Sequence, residues 1–355
     1  MSLLSLMPDT PSYFPPISTL PLVEGTFRSR PNRFAVHCAI EGRETKVFMP
    51  NPGRMGELLL PGAELILADH GVQASRKTRY TVMAVRYQGR VVFLHTHLNN
   101  TVARRLIESR AIPALSEYGI AGTEITVGGN RFDFLLNDAE GALCLEVKSC
   151  TLSANGIAMF PDAVTERGRR HLESLAAMRA AGEKGALLFL IHHGPARVFL
   201  PDYHTDYVFS QAFLDAEDKL PVHAVSIEWT EDLRYRIACP EVAIPWDAIR
   251  RECVNRGHLL IVERDGAGYR VSLTGYEHDL SQKAGRCAGR VYPVRTSIDV
   301  SEDMAGLLSG LYGNARDEAH GWTFTCGYDP VPTPDFQQAL LDFRMPLRLA
   351  ARQLG

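Results

Sequence analysis

The stretch FDFLLNDAEGALCLEVKS, from Phe132 to Ser149, decides how the middle of the chain folds. Two apolar runs flank NDAEG, a segment rich in the residues that favour tight reversals. The pattern predicts a β-hairpin pairing residues whose numbers sum to about 279, so that Asp133 falls opposite Glu146. Directly opposed side chains stand roughly 4.5–5.5 Å apart at Cβ. Alternation puts Lys148 on the face of Glu146, about 6.7 Å along the strand. Phe132, Phe134, Leu145 and Val147 are expected on the other face.

Two facing carboxylates repel, and a shared proton or a cation relieves the cost. Oxygen-only ligands favour Mg²⁺, or a similar ion such as Mn²⁺, held by Asp133 and Glu146. A lysine beside a metal-held water orients that water or stabilises charge developing on a phosphate. Asp133, Glu146 and Lys148 therefore suit phosphodiester hydrolysis. The same triple also arises as a solvated strand face, with Lys148 an ordinary cross-strand partner. The setting argues for chemistry: the triple lies inside apolar runs, on a hairpin, within a larger α/β order.

That order reads outward from the hairpin. NNTVARRLIESRAI predicts a helix capped by Asn99 or Asn100, with Val102, Leu106 and Ile107 on one side. TEITV, RFDFLL and ALCLEVKS follow as strands, then a loop, then a helix from about Thr165 to Ala181 that stops at Gly182. GALLFLIHH is a continuous apolar run, as a central strand buried on both faces requires. A helix near YVFSQAFLDAED and a strand HAVSIEW complete an α-β-β-β-α-β unit with a mixed sheet.

The second helix carries polar groups. With Thr165 as cap, Arg167, Arg170 and His171 share one face, and Leu172, Leu175 and Ala176 form the apolar stripe. Arginines in the first turns suit phosphate contacts, or form a solvated face. His171 reads as a general base or, beside Lys148, as an orienting or phosphate-binding group. Asp162 reads as a carboxylate ligand or, preferably, a plain loop residue.

From about Leu20 to Leu94, short alternating strands broken by Gly42, Gly62, Gly71 and Gly89 predict a small all-β barrel. Between Phe27 and Arg110 fourteen Lys/Arg face six Asp/Glu, a net of about +8 in a chain whose overall charge is −3. The clusters RSRPNR, SRKTR (with Arg76, Lys77 and Arg79) and ARR interleave with Phe27, Phe34, Tyr80, Tyr87 and Phe93. A basic barrel face carrying rings is the usual platform for single-stranded nucleic acid. Most of these rings are expected in the core, with Phe34 and Phe93 alternating inward. Asn51-Pro52-Gly53 marks a tight turn, after which Arg54 stands where it could reach a phosphate. GELLLPG reads as a short helical turn plugging the barrel.

A composition of 45% hydrophobic and 22% charged residues excludes a wholly basic nucleic-acid coat protein. Seven cysteines without CxxC spacing exclude a disulfide framework or zinc module and point to a reducing, cytoplasmic compartment. MSLLSLMPDTPSYFPP reads as a flexible tail, and no run is long enough to cross a membrane. Beyond about Arg236, GHLLIVERDGAGYRVSLTG predicts a hairpin turned at Asp265–Gly268. TPDFQQALLDF predicts a helix capped by Thr333, with Phe336, Leu340 and Phe343 on its apolar face.

MPNPGRMGELLLPGAEL, SRKTRYTVMAVRY, RFDFLL, LEVKSCTL and FPDAVTERGRRHLESL together resemble the sugar fermentation stimulation protein A (SfsA) family, from about Leu20 to about Tyr235. The resemblance implies an OB-fold followed by a PD-(D/E)xK nuclease-like domain, with nucleic-acid binding and nuclease activity. It places the nuclease motif on Asp133, Glu146 and Lys148, and a helix motif on Thr165, Arg167, Gly168 and His171. Asn130 stands where a serine is expected, and Arg131 after it joins the nucleic-acid-binding set.

The expected organisation is an N-terminal tail (1–19), an OB-fold-like barrel (20–97), a PD-(D/E)xK-like α/β domain (98–236) and a small α+β accessory domain (237–355). The leading expectation is a metal-dependent nuclease acting on DNA or RNA. The alternative is a non-catalytic nucleic-acid-binding regulator, in which Arg54 and the 76–79 cluster outweigh Glu146.

Overall fold

Two-residue turns with positive φ set the first sheet. Glu41–Gly42 (φ 49° and 76°) joins β2 (Ala35–Ile40) to β3 (Arg43–Phe48), and Gln88–Gly89 (φ 49° and 71°) joins β5 (Tyr80–Tyr87) to β6 (Arg90–Phe93). Such turns match the right-handed twist of the strands they connect. With β1 (Leu22–Asn32) and β4 (Glu64–Asp69), the pairings β3–β2–β1–β4–β5 close through Phe48↔Thr81 into a five-stranded barrel. In this computed structural model the described residues are 13–250, apart from 54, 56, 57, 60, 61, 155, 203–205, 247 and 248. Beyond them the backbone of five strands is described. Arg54 and the expected Thr333 helix lie outside the described residues.

The barrel interior holds Phe27, Val36, Val47, Leu65, Val82 and Val92 among others. Met55, Leu58 and Leu59 plug it; the amides of both leucines donate to the Met55 carbonyl, as in a helical turn. Two expectations fail here. Phe34 does not alternate inward: it occupies the turn after β1 and is 46% exposed. Phe93 is buried, but outside the barrel, stacked on Trp229 with 4.1 Å between ring centroids.

The central unit follows in the expected order. It comprises α1 (Asn99–Glu108), β7 (Gly119–Val127), β8 (Asn130–Asp138), β9 (Gly141–Cys150), α2 (Glu166–Ala180) and β12 (Lys184–Ile191). The loop expected before α2 contains β10 (Ser153–Ala154) and β11 (Ile157–Phe160), which form a separate small sheet with β13 (Val198–Pro201). Then come α3 (Tyr207–Asp215), β14 (Val222–Trp229) and β15 (Tyr235–Cys239).

β12 is central, parallel to both β14 and β9, while β9–β8–β7 continue antiparallel. The sheet joins the barrel through the single rung Trp229↔Val91. Its two faces bury different sets. α1 and the barrel's outer wall cover one, with Val102, Leu106, Phe134, Leu145 and Leu188. α2 and α3 cover the other, with Leu172, Leu175, Phe189, Phe209 and Phe213. Val242 and Ile249 also pack on that second face.

Three helix details bear on the site. The Thr165 hydroxyl accepts from the Gly168 amide at 3.1 Å, capping α2 as expected. α1 differs, because its N-cap is Leu98 and neither asparagine caps it; both lie in the first turn and are used elsewhere. No described helix is long and apolar enough to cross a membrane.

In the last third, β16 (His258–Asp265) and β17 (Gly268–Glu277) pair from Asp265↔Gly268, as the hairpin reading predicted. With β18 (Arg290–Pro293), β19 (Asn314–Asp317) and β20 (Gly321–Cys326) they form a five-stranded sheet.

Candidate metal and nucleic-acid site

The β8–β9 register runs from Asp138↔Gly141 to Phe134↔Leu145, the pairing anticipated from the turn. The regular ladder stops one residue short of Asp133. There the Val147 amide donates to Asp133 Oδ2 at 2.7 Å. A side chain thus takes a donor the backbone would otherwise use, and strict alternation ends. Phe134, Leu145 and Val147 lie on the α1 face as expected, but Phe132 joins the α2 face, its ring 6.1 Å from that of His171.

Asp133 Oδ1 accepts from the Asn100 side-chain amide at 2.8 Å. Burial, then the nearby Glu146 carboxylate, push the Asp133 carboxyl above the ordinary aspartate value. Glu146 projects from β9 and is only 4% exposed. Its Oε1 meets Lys148 Nζ at 2.5 Å and His171 Nδ1 at 2.5 Å. Burial alone would raise its pKa, but His171 and Lys148 outweigh burial and hold Glu146 below the ordinary glutamate value. Glu146 Oε2 is buried with no hydrogen-bond partner. Leaving such an oxygen unsatisfied costs about 1–3 kcal/mol, and more when charged.

His171 reaches Glu146 because α2 starts where it does. The Thr165 amide donates to Asp206 Oδ2 at 2.8 Å, and Asp206 Oδ1 accepts from the Phe209 amide, so one carboxylate anchors the starts of both α2 and α3. Arg167 Nε approaches His171 Nε2 at 3.5 Å. A neutral His171 with its proton on Nδ1 satisfies both neighbours.

The other sequence-predicted residues are spread more widely. Arg170 is exposed on α2, and Arg131 is exposed on β8, paired with Glu124 at 2.6 Å. Arg79 makes a two-pronged bridge to Asp69, and Arg76 donates to the Thr78 carbonyl and the Thr81 hydroxyl. Lys77 is exposed.

Three features escaped the sequence reading. Asn100 holds Asp133. Asn99 Oδ1 accepts from the buried His192 Nε2 at 2.8 Å, and His192 Nδ1 accepts from Trp229 Nε1 at 3.3 Å. Asp162 Oδ2 accepts from the Met55 amide at 3.3 Å, tying the loop before α2 to the barrel. Beside that tie lies a cleft of about 270 Å³ lined by Asn51, Thr96, Ser149, Thr151 and Asp162 among others. Only the NN and HH doublets hinted at the first two features.

The donor set fits a hard divalent cation: oxygen ligands, one of them buried without a partner. Among the described residues no group of three or more His, Cys, Asp or Glu side chains is arranged to hold a metal. Two carboxylates suffice for Mg²⁺, which keeps several waters and takes its remaining ligands from a substrate phosphate.

A closed OB-type barrel is followed by an α-β-β-β-α-β unit whose β8–β9 hairpin carries Asp133, Glu146 and Lys148. Residues 29–94 match the family described as "SfsA N-terminal OB domain", and residues 97–232 match "Sugar fermentation stimulation protein RE domain". The chain belongs to this SfsA family. A sugar fermentation stimulation protein homolog of Moorella thermoacetica is 40% identical over 196 residues, 55% of this chain and 84% of the relative. A homolog from Chloroflexus aurantiacus is 39% identical over 208 residues, 59% of this chain and 80% of the relative. Among solved structures, Pyrococcus furiosus SfsA in complex with Ca²⁺ superposes with a TM-score of 0.60 at 24% identity, covering 65% of this chain and 99% of that one.

Proposed function

We propose that this protein is a metal-dependent nuclease that hydrolyses phosphodiester bonds of DNA or RNA. The observation that carries the reading is the buried, unpartnered Oε2 of Glu146 beside an Asp133 whose carboxyl is pushed up by burial and then by that same glutamate. Asp133 and Glu146 Oε2 would hold Mg²⁺ or Mn²⁺, which when bound supplies positive charge for the phosphate and a more acidic water. The Ca²⁺ complex of the P. furiosus relative accords with a divalent ion.

The chain's own groups divide the remaining work. Lys148, fixed on Glu146 Oε1, positions the attacking water and offsets negative charge as the phosphate is attacked. His171 fixes the same oxygen, so Glu146 keeps one orientation. The N-terminus of α2, with Arg167 and Arg170 in its first turns, receives the phosphate backbone. The barrel's basic loops, with Arg76, Lys77 and Arg79, attract the strand over a longer range. Arg131, exposed on β8, adds a further cation.

A nucleic-acid-binding regulator without turnover is the second reading, favoured by the excess of positive charge on residues 27–110. Salt-sensitive binding is common to both. Incubation with single- and double-stranded DNA and RNA, with Mg²⁺ or with a chelator, separates them. Metal-dependent cleavage that Glu146→Ala abolishes supports the nuclease; tight binding with no cleavage of any substrate supports the regulator.

A further inference from the structure

We infer that the barrel face between the β1–β2 and β4–β5 loops binds an unpaired strand of nucleic acid by stacking a base on Phe34, with Tyr80 as a second ring. The inference rests on the nuclease reading and narrows its substrate to one with unstacked bases beside the cleaved bond.

Phe34 is 46% exposed, the one phenylalanine among the exposed large hydrophobics of the described residues. Its backbone is held: its amide donates to Asn32 Oδ1 at 2.9 Å and its carbonyl accepts from the Met49 amide at 3.0 Å. Arg30 braces the same turn, donating to the carbonyls of Arg33, Asn51 and Gly53. The Arg33 guanidinium lies 5.3 Å from the Phe34 ring centre. A rigid, exposed ring with a cation at its face is a ready stacking platform.

The β4–β5 loop ends in a second pair of the same kind, with Arg79 4.9 Å from the centre of the half-buried Tyr80 ring. The register sets the distance between the pairs. Ala35 pairs with Phe48, antiparallel, and Phe48 with Thr81, parallel, so Phe34 lies level with Met49 and Tyr80 level with Val47, two strand spacings across and two residues along, roughly 12 Å apart. These two loops are the ones through which OB-folds commonly bind oligonucleotides.

The Phe34 turn also adjoins the segment that meets the loop before α2. From Met49 the chain runs through Gly53 to Met55, whose amide meets Asp162, three residues before the α2 cap. Val164, 66% exposed, stands beside that cap. The Phe34 turn is thereby tied, through Met49, Met55 and Asp162, to the loop that leads into the α2 cap. Single exposed apolar side chains are common and need no explanation. Phe34 differs because a cation accompanies it and a second ring–cation pair lies two strands away. In a duplex the bases stack on one another, so only an unpaired base gains from such a ring.

The test uses the full-length chain carrying Glu146→Ala, labelled oligothymidine and an abasic chain of equal length, read by fluorescence anisotropy. Adding Phe34→Ala is expected to weaken oligothymidine binding about tenfold. It should leave binding of the abasic chain and of a blunt duplex unchanged. Phe34→Trp should restore binding, and oligothymidine should quench its added indole fluorescence relative to the parent. Equal oligothymidine affinity with and without the Phe34 ring, or an unquenched indole at saturation, overturns the inference. The nuclease reading fails separately: cleavage by Phe34→Ala with normal oligothymidine binding sinks the stacking alone. Phe34-dependent binding without any metal-dependent cleavage by the wild type sinks the nuclease and leaves the stacking.

Discussion

His171 Nδ1 lies 2.5 Å from Glu146 Oε1, the oxygen that Lys148 Nζ also contacts at 2.5 Å. Two donors on one oxygen leave the other, Oε2, buried and without a protein partner. On the nuclease reading, the arrangement fixes which oxygen would face a cation. Removing partners that orient a ligand typically costs about 10–100-fold in metal affinity or activity. His171→Ala should therefore raise the Mg²⁺ concentration for half-maximal cleavage by about that factor, with a single cooperative unfolding transition retained. An unchanged Mg²⁺ requirement would assign His171 to packing alone.

Asn100 holds Asp133 by a hydrogen bond that favours the ionised carboxylate. Asn100→Ala removes that support, so the Asp133 carboxyl should rise further above its ordinary value. On the nuclease reading cleavage needs Asp133 ionised, so the acid limb of the pH–rate profile should move to higher pH. A limb that stays in place would show that Asp133 ionisation does not govern it.

His192 is fully buried, and burial lowers its pKa from 6.5 to about 3. Its neutral form, donating from Nε2 to Asn99 and accepting at Nδ1 from Trp229, satisfies both neighbours. Above pH 6.5 the ring is neutral in both folded and unfolded chains, and its contribution is fully present. As the pH falls below that value, the unfolded chain takes up a proton the fold refuses. Stability then declines by up to about 1.4 kcal/mol per pH unit until the folded pKa is reached. Burial also lowers His95 and His193 to about 4, which steepens the same window. Urea midpoints between pH 7 and 4 should fall less steeply for His192→Gln, whatever its stability at neutrality. Parallel slopes would contradict the assignment.

A Cβ on Gly53 would lie 2.4 Å from Asp162 Oδ2 and 3.0 Å from Asn51 Oδ1. Gly53→Ala must displace the carboxylate that receives the Met55 amide, a strain of about 1–3 kcal/mol. In Asp162→Ala that obstacle is gone, so the two substitutions together should cost less than their sum. Additive losses in chemical denaturation would mean that the two residues do not meet in solution.

The hairpin was legible because period-two alternation and turn chemistry act locally, and together they gave the Phe134↔Leu145 register. Phe132 was misread because the Asp133 carboxylate competes with the backbone for the Val147 amide, which no periodicity records. Asn99 and Asn100 looked like caps since the same amide groups serve helix ends and carboxylates equally well. Phe34 sits in a turn, and β1 carries two register shifts between Phe27 and Asn32, so alternation did not reach it. β10 and β11 depend on β13, some forty residues on, a pairing invisible to any short window.

The most direct test of the nuclease assignment is cleavage of single-stranded circular DNA by the purified chain, with Mg²⁺ or with a chelator, alongside Glu146→Ala and Lys148→Ala. Wild-type protein should linearise the circle only with the metal, and both variants, folded by circular dichroism, should lose at least a hundredfold, about 2.7 kcal/mol of transition-state stabilisation. Cleavage that persists in Glu146→Ala, or that ignores the chelator, would contradict it.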